Sequence, residues 1–279
     1  MEYIIDYCVM VKKKVLFINQ EMVPYVPTSE MATMGRNLPQ KIQENGFEIR
    51  TFMPKWGNIN ERRGQLHEVI RLSGLNLIID DTDHPLIIKV ASIPVSRLQV
   101  YFIDNEDYFQ RRRTMTEDES GEEFTDNGER AIFFARGVLE TVKKLRWTPD
   151  IIQCQGWMAG VVPLYIKTAY HDDPSFANAK VVTSLFNMNF KKPFGTNFKQ
   201  CVEFRNATPA LLEPYADHFD YTELGKLAID YSDGVVEAGK EASKVLLQYA
   251  KEKQKPILSY PGDDYVQTYK TFYNNILGI

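Results

Sequence analysis

The stretch Lys13 to Pro39, KKVLFINQEMVPYVPTSEMATMGRNLP, decides the fold. Val15, Leu16, Phe17 and Ile18 form an unbroken apolar run, the pattern of a strand covered on both faces. Pro24 and Pro27 break that run, and Ser29 then offers a side-chain oxygen to cap a helix reaching Asn45. A strand feeding a helix N-terminus gathers unpaired N–H groups and the positive end of a helix dipole at one spot. Many α/β proteins hold phosphate in this way. The stretch therefore predicts an α/β fold with an anion-binding geometry at its first turn.

Outward from it, Asn45-Gly46 stops the helix and Phe47 to Met53 reads as a second strand, giving a parallel pair with a right-handed crossover. Between Leu66 and Ile103 the runs LHEVIRLSGLNLII, PLIIKVASI and LQVYFI are separated by Asp80 to His84 and by Pro94-Val95-Ser96. They read as hairpin-like strands added to the core sheet. Arg130 to Leu145 carries a helical stripe of Ile132, Phe133, Val138, Leu139, Val142 and Leu145, with Lys143-Lys144 at the favourable end. A short buried strand at IIQC, 151 to 154, precedes a helix from Trp157 to Thr168 that Pro163 is expected to kink. A further strand spans Lys180 to Ser184. Gln153, Gln155 and Asn187 lie at ends of parallel strands, where open α/β sheets bind ligands, although polar side chains there also serve simply to satisfy loop backbone. Lys191 to Pro214 is irregular apart from a short helix at Pro209 to Leu212. Helices at Thr222 to Ser232, Lys240 to Lys251 and Asp263 to Leu277, with a strand at Gly234 to Glu237, complete the pattern. The expectation is one Rossmann-like domain over 1–279 with a mainly parallel sheet, residues 1–11 forming a loose extension.

With 279 residues and a net charge of -4, the chain lacks the basic footprint that nucleic acid requires. Three scattered cysteines, Cys8, Cys154 and Cys201, do not make a disulfide framework and fit a reducing compartment. The four histidines, His67, His84, His171 and His218, lack metal-ligand spacing, so no metal is expected. The N-terminal apolar residues precede their lysines, the reverse of a secretory signal, and no run approaches a membrane span. The reading is cytoplasmic, with no membrane partner. The acidic stretch 117–129 reads as a solvated surface loop, with a mobile lid as the sharper alternative. There is no glycine-rich nucleotide fingerprint, no Gly-x-Ser-x-Gly elbow and no Cys-x-x-Cys. Asp80, Asp81, Asp83, Asp263 and Asp264 read as turn and cap residues. Residue chemistry alone thus names no catalytic side chain and no cofactor.

KVLFINQEMVPYVPTSEMATMGRNLP resembles the opening of bacterial glycogen synthases and plant starch synthases, retaining glucosyltransferases that use ADP-glucose. That family's motif runs Lys-Val-Leu-Phe, Ser-Glu, Pro-Tyr, Lys-Thr-Gly-Gly-Leu-Ala-Asp and Leu-Pro. Further similarity lies in FMPKWGNI, in VYFIDNEDYFQR at Val100 to Arg111, in DNGERAIFFARGVLE at Asp126 to Glu140, and in WTPDIIQCQGWMAGVVPLYIK at Trp147 to Lys167. The resemblance runs from Lys14 to about Ser243. It implies the N-terminal Rossmann-like half of a GT-B glycosyltransferase, with ADP-glucose and an α-glucan as ligands. By family position the substrate-side candidates are Glu21, Tyr25, Thr28, Trp157 and Asn187.

The resemblance also marks departures. Pro27-Thr28-Ser29-Glu30 stands where the family has Lys-Thr-Gly-Gly, which removes a cation and adds a carboxylate. In the family's His-Asp-Trp-His stretch only Trp157 remains, with Met158 in place of the second histidine, and Phe186-Asn187 replaces His-Asn. The family's second Rossmann-like domain has no counterpart in this length, and Asp263 to Leu277 resembles the helix that crosses back onto the N-terminal half. The expectation is a glucan-binding or regulatory protein without autonomous glucosyl transfer. The alternatives are a transferase half that works with a separate chain, and a scaffold subunit joined to a partner protein or to copies of itself.

Overall fold

The structure is a computed structural model; it describes residues 12–279 except 95, 97, 189 and 191, and leaves the side chain of Asp263 undescribed. The expected extension at 1–11 lies outside the described residues. In chain order the strands are β1 (Lys14–Asn19), β2 (Glu48–Pro54), β3 (His67–Glu68), β4 (Leu75–Ile79), β5 (Thr82–Ile93), β6 (Leu98–Asp104), β7 (Ile151–Gln155), β8 (Lys180–Leu185), β9 (Gly234–Glu237) and β10 (Ile257–Leu258). The α-helices are α1 (Glu30–Glu44), α2 (Glu61–Gly64), α3 (Asn127–Lys144), α4 (Val162–Lys167), α5 (Phe198–Cys201), α6 (Tyr221–Asp230), α7 (Lys244–Glu252) and α8 (Tyr265–Leu277). Among the described residues the strands form one sheet in the order β10-β9-β8-β7-β1-β2-β6-β5-β3, with β4 paired to β5. Every pairing from β10 to β6 is parallel, and those made by β5 are antiparallel. The α/β fold with a mainly parallel sheet is as the sequence implied.

β1 is central because both of its faces are apolar. Val15 and Phe17 enter a cluster with Met31, Leu38 and Ile42 of α1 and with Tyr269, Phe272 and Tyr273 of α8. Leu16 and Ile18 enter the larger cluster built around α3. Because side chains alternate along a strand, one continuous hydrophobic run supplies two cores. Ser29 caps α1 by accepting the Ala32 N–H at 2.9 Å. Gly35 lets the helix lie on the preceding loop, since a Cβ there would come 2.3 Å from the Glu21 carbonyl oxygen. On the same face the Tyr273 hydroxyl donates to Gln153 Oε1 at 2.9 Å, tying α8 to the middle of the sheet.

Three sequence expectations change. LQVYFI is not only a hairpin strand: β6 pairs antiparallel with β5 but parallel with β2, so it belongs to the core sheet. Thr82 to His84, read as part of a separator, open the long strand β5 instead. Pro163 does not kink a helix. A 3₁₀ turn at Trp157–Ala159 ends first, and Pro163 sits in the first turn of α4, where its missing N–H has no partner to lose. Among the described residues no helix is long and apolar enough to cross a membrane.

Candidate functional site

The strand order reverses at β1, whose neighbours are β7 on one side and β2 on the other. In open parallel sheets the crevice beyond the carboxyl ends of strands at such a point receives ligands. Here the loop after β1 (20–29), the turn after β7 (156–161) and the segments after β8 and β9 come together. The crevice is substantially filled by the protein itself. Gln20 N–H donates to the Gln155 carbonyl at 3.0 Å, and the Gln20 carbonyl accepts the Trp56 indole N–H at 2.8 Å. Its amide oxygen accepts the Met158 N–H at 3.4 Å. Gly156, at φ 84°, makes room for that side chain: a Cβ there would come 2.5 Å from Gln20 Oε1.

Carboxylates then occupy donors along the edge. Glu21 accepts the Ser29 hydroxyl at 2.7 Å and the Gln20 side-chain amide at 3.2 Å. Glu30, in the first turn of α1, accepts the Lys240 backbone N–H at 3.2 Å, and its carboxylate lies against Gly239. Glu241 accepts the Asn187 amide at 3.3 Å, and Glu237 accepts the Tyr260 N–H at 3.2 Å. The Lys240 and Tyr260 backbone N–H groups and the Asn187 amide are therefore engaged by the chain's own acids. These acids also make the rim negative, which disfavours phosphate through like-charge repulsion.

The five residues singled out by family position do not converge. Glu21 sits inside the loop network, and Thr28 is exposed on the rim. Tyr25 turns away, its ring edge-on to Phe102 at 4.8 Å, and it lines a separate 190 Å³ pocket with Asn60 and Arg63. Burial pushes its hydroxyl up to about 12, so it stays a donor at neutral pH. Trp157 is 2% exposed and packs against Phe190 and Phe194 at 5.0 and 5.4 Å. Its role in this conformation is packing. Asn187 is exposed beside Glu241. Gln153 and Gln155 are buried: Gln153 donates to the Ser184 hydroxyl at 2.8 Å, and Gln155 to the Met31 carbonyl at 2.7 Å. Sequence reasoning missed Lys240 and Glu241, whose only signal was their place just after a parallel strand. Among the described residues no group of three or more His, Cys, Asp or Glu is placed to hold a metal.

The segment from Asp104 to Arg136 is built differently. A π-helix at Glu106–Gln110, capped by Asn105, presents Tyr108 inward. The Tyr108 hydroxyl donates to Glu129 at 2.9 Å and meets His84 Nε2 at 2.9 Å. Burial pushes the Glu129 carboxyl above, and the His84 imidazole below, their ordinary values. Arg130, fully buried, donates to the Tyr108 carbonyl, to Asn127 Oδ1 and to the Met115 carbonyl at 2.9, 2.7 and 2.8 Å. Loop 117–129 is knit onto the chain after β8, where Glu123 accepts the Lys192 N–H at 2.7 Å.

These features match known proteins at two levels. The architecture is that of one half of a GT-B glycosyltransferase catalytic domain. The solved catalytic domain of Starch Synthase IV from Arabidopsis thaliana, bound to ADP and acarbose, superposes with a TM-score of 0.70 at 17% identity, over 90% of this chain and 51% of that one. Residues 14–258 match the sequence model of the starch synthase catalytic domain, and the chain belongs to that family. It is 42% identical to the glycogen synthase of Chlorobium limicola over 175 residues, 63% of this chain and 36% of the relative. It is 34% identical to the glycogen synthase of Chlorobaculum parvum over 231 residues, 83% of this chain and 46% of the relative. The chain thus spans less than half the length of these relatives.

Proposed function

We propose that this chain acts in α-glucan metabolism in the cytoplasm as a glucan-binding or regulatory member of its family, without autonomous glucosyl transfer from ADP-glucose. The observation that carries this reading is the engagement of the Lys240 N–H by Glu30 at the start of α1. Glu30 thereby holds a carboxylate in the first turn of α1, where it repels an anion approaching that helix end. In the family's motif the position taken here by Pro27 is a lysine. Loss of one preorganised charge stabiliser commonly lowers a rate by ~10² to 10³, and three such positions, at Pro27, Met158 and Phe186, depart from the family pattern. Residues 1–279 are read as one domain, with the terminal helix packed back on it. Of the family-position candidates Glu21, Tyr25, Thr28, Trp157 and Asn187, the ones proposed to meet substrate at this edge are Glu21, Thr28 and Asn187, because Tyr25 faces Phe102 and Trp157 is packed against Phe190 and Phe194.

One observation favours a second reading. Thr28, Glu30 and Asn187 remain exposed at the carboxyl edge, as expected if a separate chain carrying the other half of the site docks there. Both readings are tested by incubating the purified protein with ADP-glucose and glycogen, then measuring glucose incorporation and co-sedimentation. The expected result is sedimentation without incorporation. Incorporation by the chain alone at synthase-like rates overturns the first reading. Incorporation only after a C-terminal half is supplied in trans selects the second.

A further inference from the structure

The triad of His84, Tyr108 and Glu129 lies apart from the carboxyl edge, and its protons can be accounted for one by one. The Tyr108 phenol oxygen is 2.9 Å from Glu129 Oε2 and 2.9 Å from His84 Nε2. A phenol has one proton to give, and a carboxylate can only accept, so that proton goes to Glu129. His84 Nε2 must then carry its own hydrogen and donate it to the phenol oxygen. The lone pair is left on Nδ1, which is buried and has no partner among the described residues. A second proton on the ring would set a charged N–H at that position with nothing to accept it, a costly arrangement in the interior. Glu129 differs, because its second oxygen can be protonated while Oε2 still accepts from Tyr108. The sensitive member is therefore His84. The groups that face the triad come from every element around it: Asp83 of β5 and Asp107 of the π-helix towards His84, Phe133 of α3 edge-on to its ring, Asp80 and Asp126 towards Glu129, and Cys201 of α5 towards Tyr108.

We propose that His84, Tyr108 and Glu129 form a proton-sensitive brace: with His84 neutral and its hydrogen on Nε2 the brace holds β5, the π-helix and α3 together, and protonation of His84 releases the arm that follows the π-helix. Tyr108 is 24 residues from His84 and 21 from Glu129, so the three side chains tie segments that local structure does not join. Beside Glu129 on α3, Arg130 donates to the Tyr108 and Met115 carbonyls, and Asn127 donates to the Thr116 carbonyl at 2.8 Å. A shift of the π-helix against α3 therefore passes directly into the segment 111–126. Glu123 accepts the Lys192 N–H, which carries the change on to the chain after β8, one wall of the crevice. Acid sensed inside the arm is in this way felt at the carboxyl edge.

The test has two parts on the purified chain. Imidazole ¹⁵N–¹H correlation spectra at neutral pH read the His84 tautomer, and Nε2–H is expected. Amide hydrogen exchange, corrected for the intrinsic effect of pH, then follows segment 105–126 against β1 as an internal reference. Between about pH 7.5 and about pH 5 the segment should lose protection roughly tenfold relative to β1. His84→Gln keeps an amide donor near the place of Nε2–H and cannot be protonated, so its protection should change by less than about threefold over the same range. Tyr108→Phe cuts both links, and should lower protection at both pH values and remove the difference between them. An Nδ1–H tautomer at neutral pH overturns the proposal, as does an equal loss of protection in His84→Gln and the unaltered chain. Where His84→Gln does not fold, the unaltered chain decides: protonation of His84 in its spectra without loss of protection in segment 105–126 also overturns it.

Discussion

The Asp104 to Arg136 arm and the carboxyl edge of the sheet both set polar groups beside an apolar core, and they satisfy them in opposite ways. In the arm the polar groups are buried and committed to one another: Arg130 reaches three oxygens, and Tyr108 joins Glu129 to His84. At the edge they are short links made by exposed residues, such as the Lys240 backbone N–H to the Glu30 carboxylate and the Asn187 amide to Glu241. The arm and the helix that follows carry segments in which the family resemblance is read most directly, VYFIDNEDYFQR and DNGERAIFFARGVLE. The edge carries Pro27-Thr28-Ser29-Glu30, where it departs. The difference fits the proposal that this chain keeps what its packing needs while the charges of the loop after β1 have changed.

The largest expected effect breaks the arm. Arg130→Met removes the donor shared by the Tyr108 and Met115 carbonyls and Asn127, leaving buried acceptors unpaired. It should cost about 3 kcal/mol or more in urea unfolding. A loss under about 1 kcal/mol would show that water replaces the guanidinium and that the arm is not a desolvated network. Next comes the floor of the edge. Gly35→Ala adds ~1 kcal/mol of helix propensity but drives a methyl into the Glu21 carbonyl. The net result should be a loss of about 1 kcal/mol, read from the same unfolding curves.

Smaller effects belong to the rim. Glu30→Gln gives up a favourable charge in the first turn of α1, worth ~0.3 to 1 kcal/mol, and should raise affinity for ADP by roughly two- to fivefold through lost repulsion. Ligand-observed NMR at millimolar ADP measures this directly, and unchanged affinity would mean that the carboxylate does not guard the site. The smallest effect is acid sensitivity. His84 is held neutral by burial, with Asp107 and Asp83 partly opposing. The unfolded chain takes up this proton near the ordinary value, so the contribution is present above about pH 6.5 and lost as pH falls through the lower folded value. Glu129 runs the other way: its contribution is present at low pH and lost as pH rises through its raised value. His84→Gln should flatten the fall of the thermal midpoint between about pH 6.5 and pH 5. An unaltered slope would place the acid sensitivity elsewhere.

Much of this arrangement was legible in the residues. The four-residue apolar run of β1, the Ser29 cap and the Asn45 stop specify a strand, a turn and a helix by local chemistry alone, and the structure reproduces them. The parallel core followed from strand-helix-strand alternation. The place of β6 did not, because a hairpin partner on one side and a parallel neighbour on the other leave the same alternation in a strand. The π-helix at Glu106–Gln110 and the burial of Arg130 were not legible either, since DNEDYFQR and DNGERAIF read locally as polar segments. Their meaning comes from contacts 15 to 22 residues apart in sequence. At the edge, Glu21 and Thr28 were singled out through the family motif. Lys240, Glu241 and Tyr260 were missed because their roles depend on where β9 and β10 bring them.

The central proposal, that the architecture is retained while the anion chemistry is lost, is tested most directly by calorimetric titration of ADP into the purified chain. The account predicts no saturable binding tighter than roughly 1 mM, about -4 kcal/mol, in a protein that unfolds cooperatively. Saturable binding in the micromolar range, abolished by a substitution at Thr28 or Ser29, would contradict it.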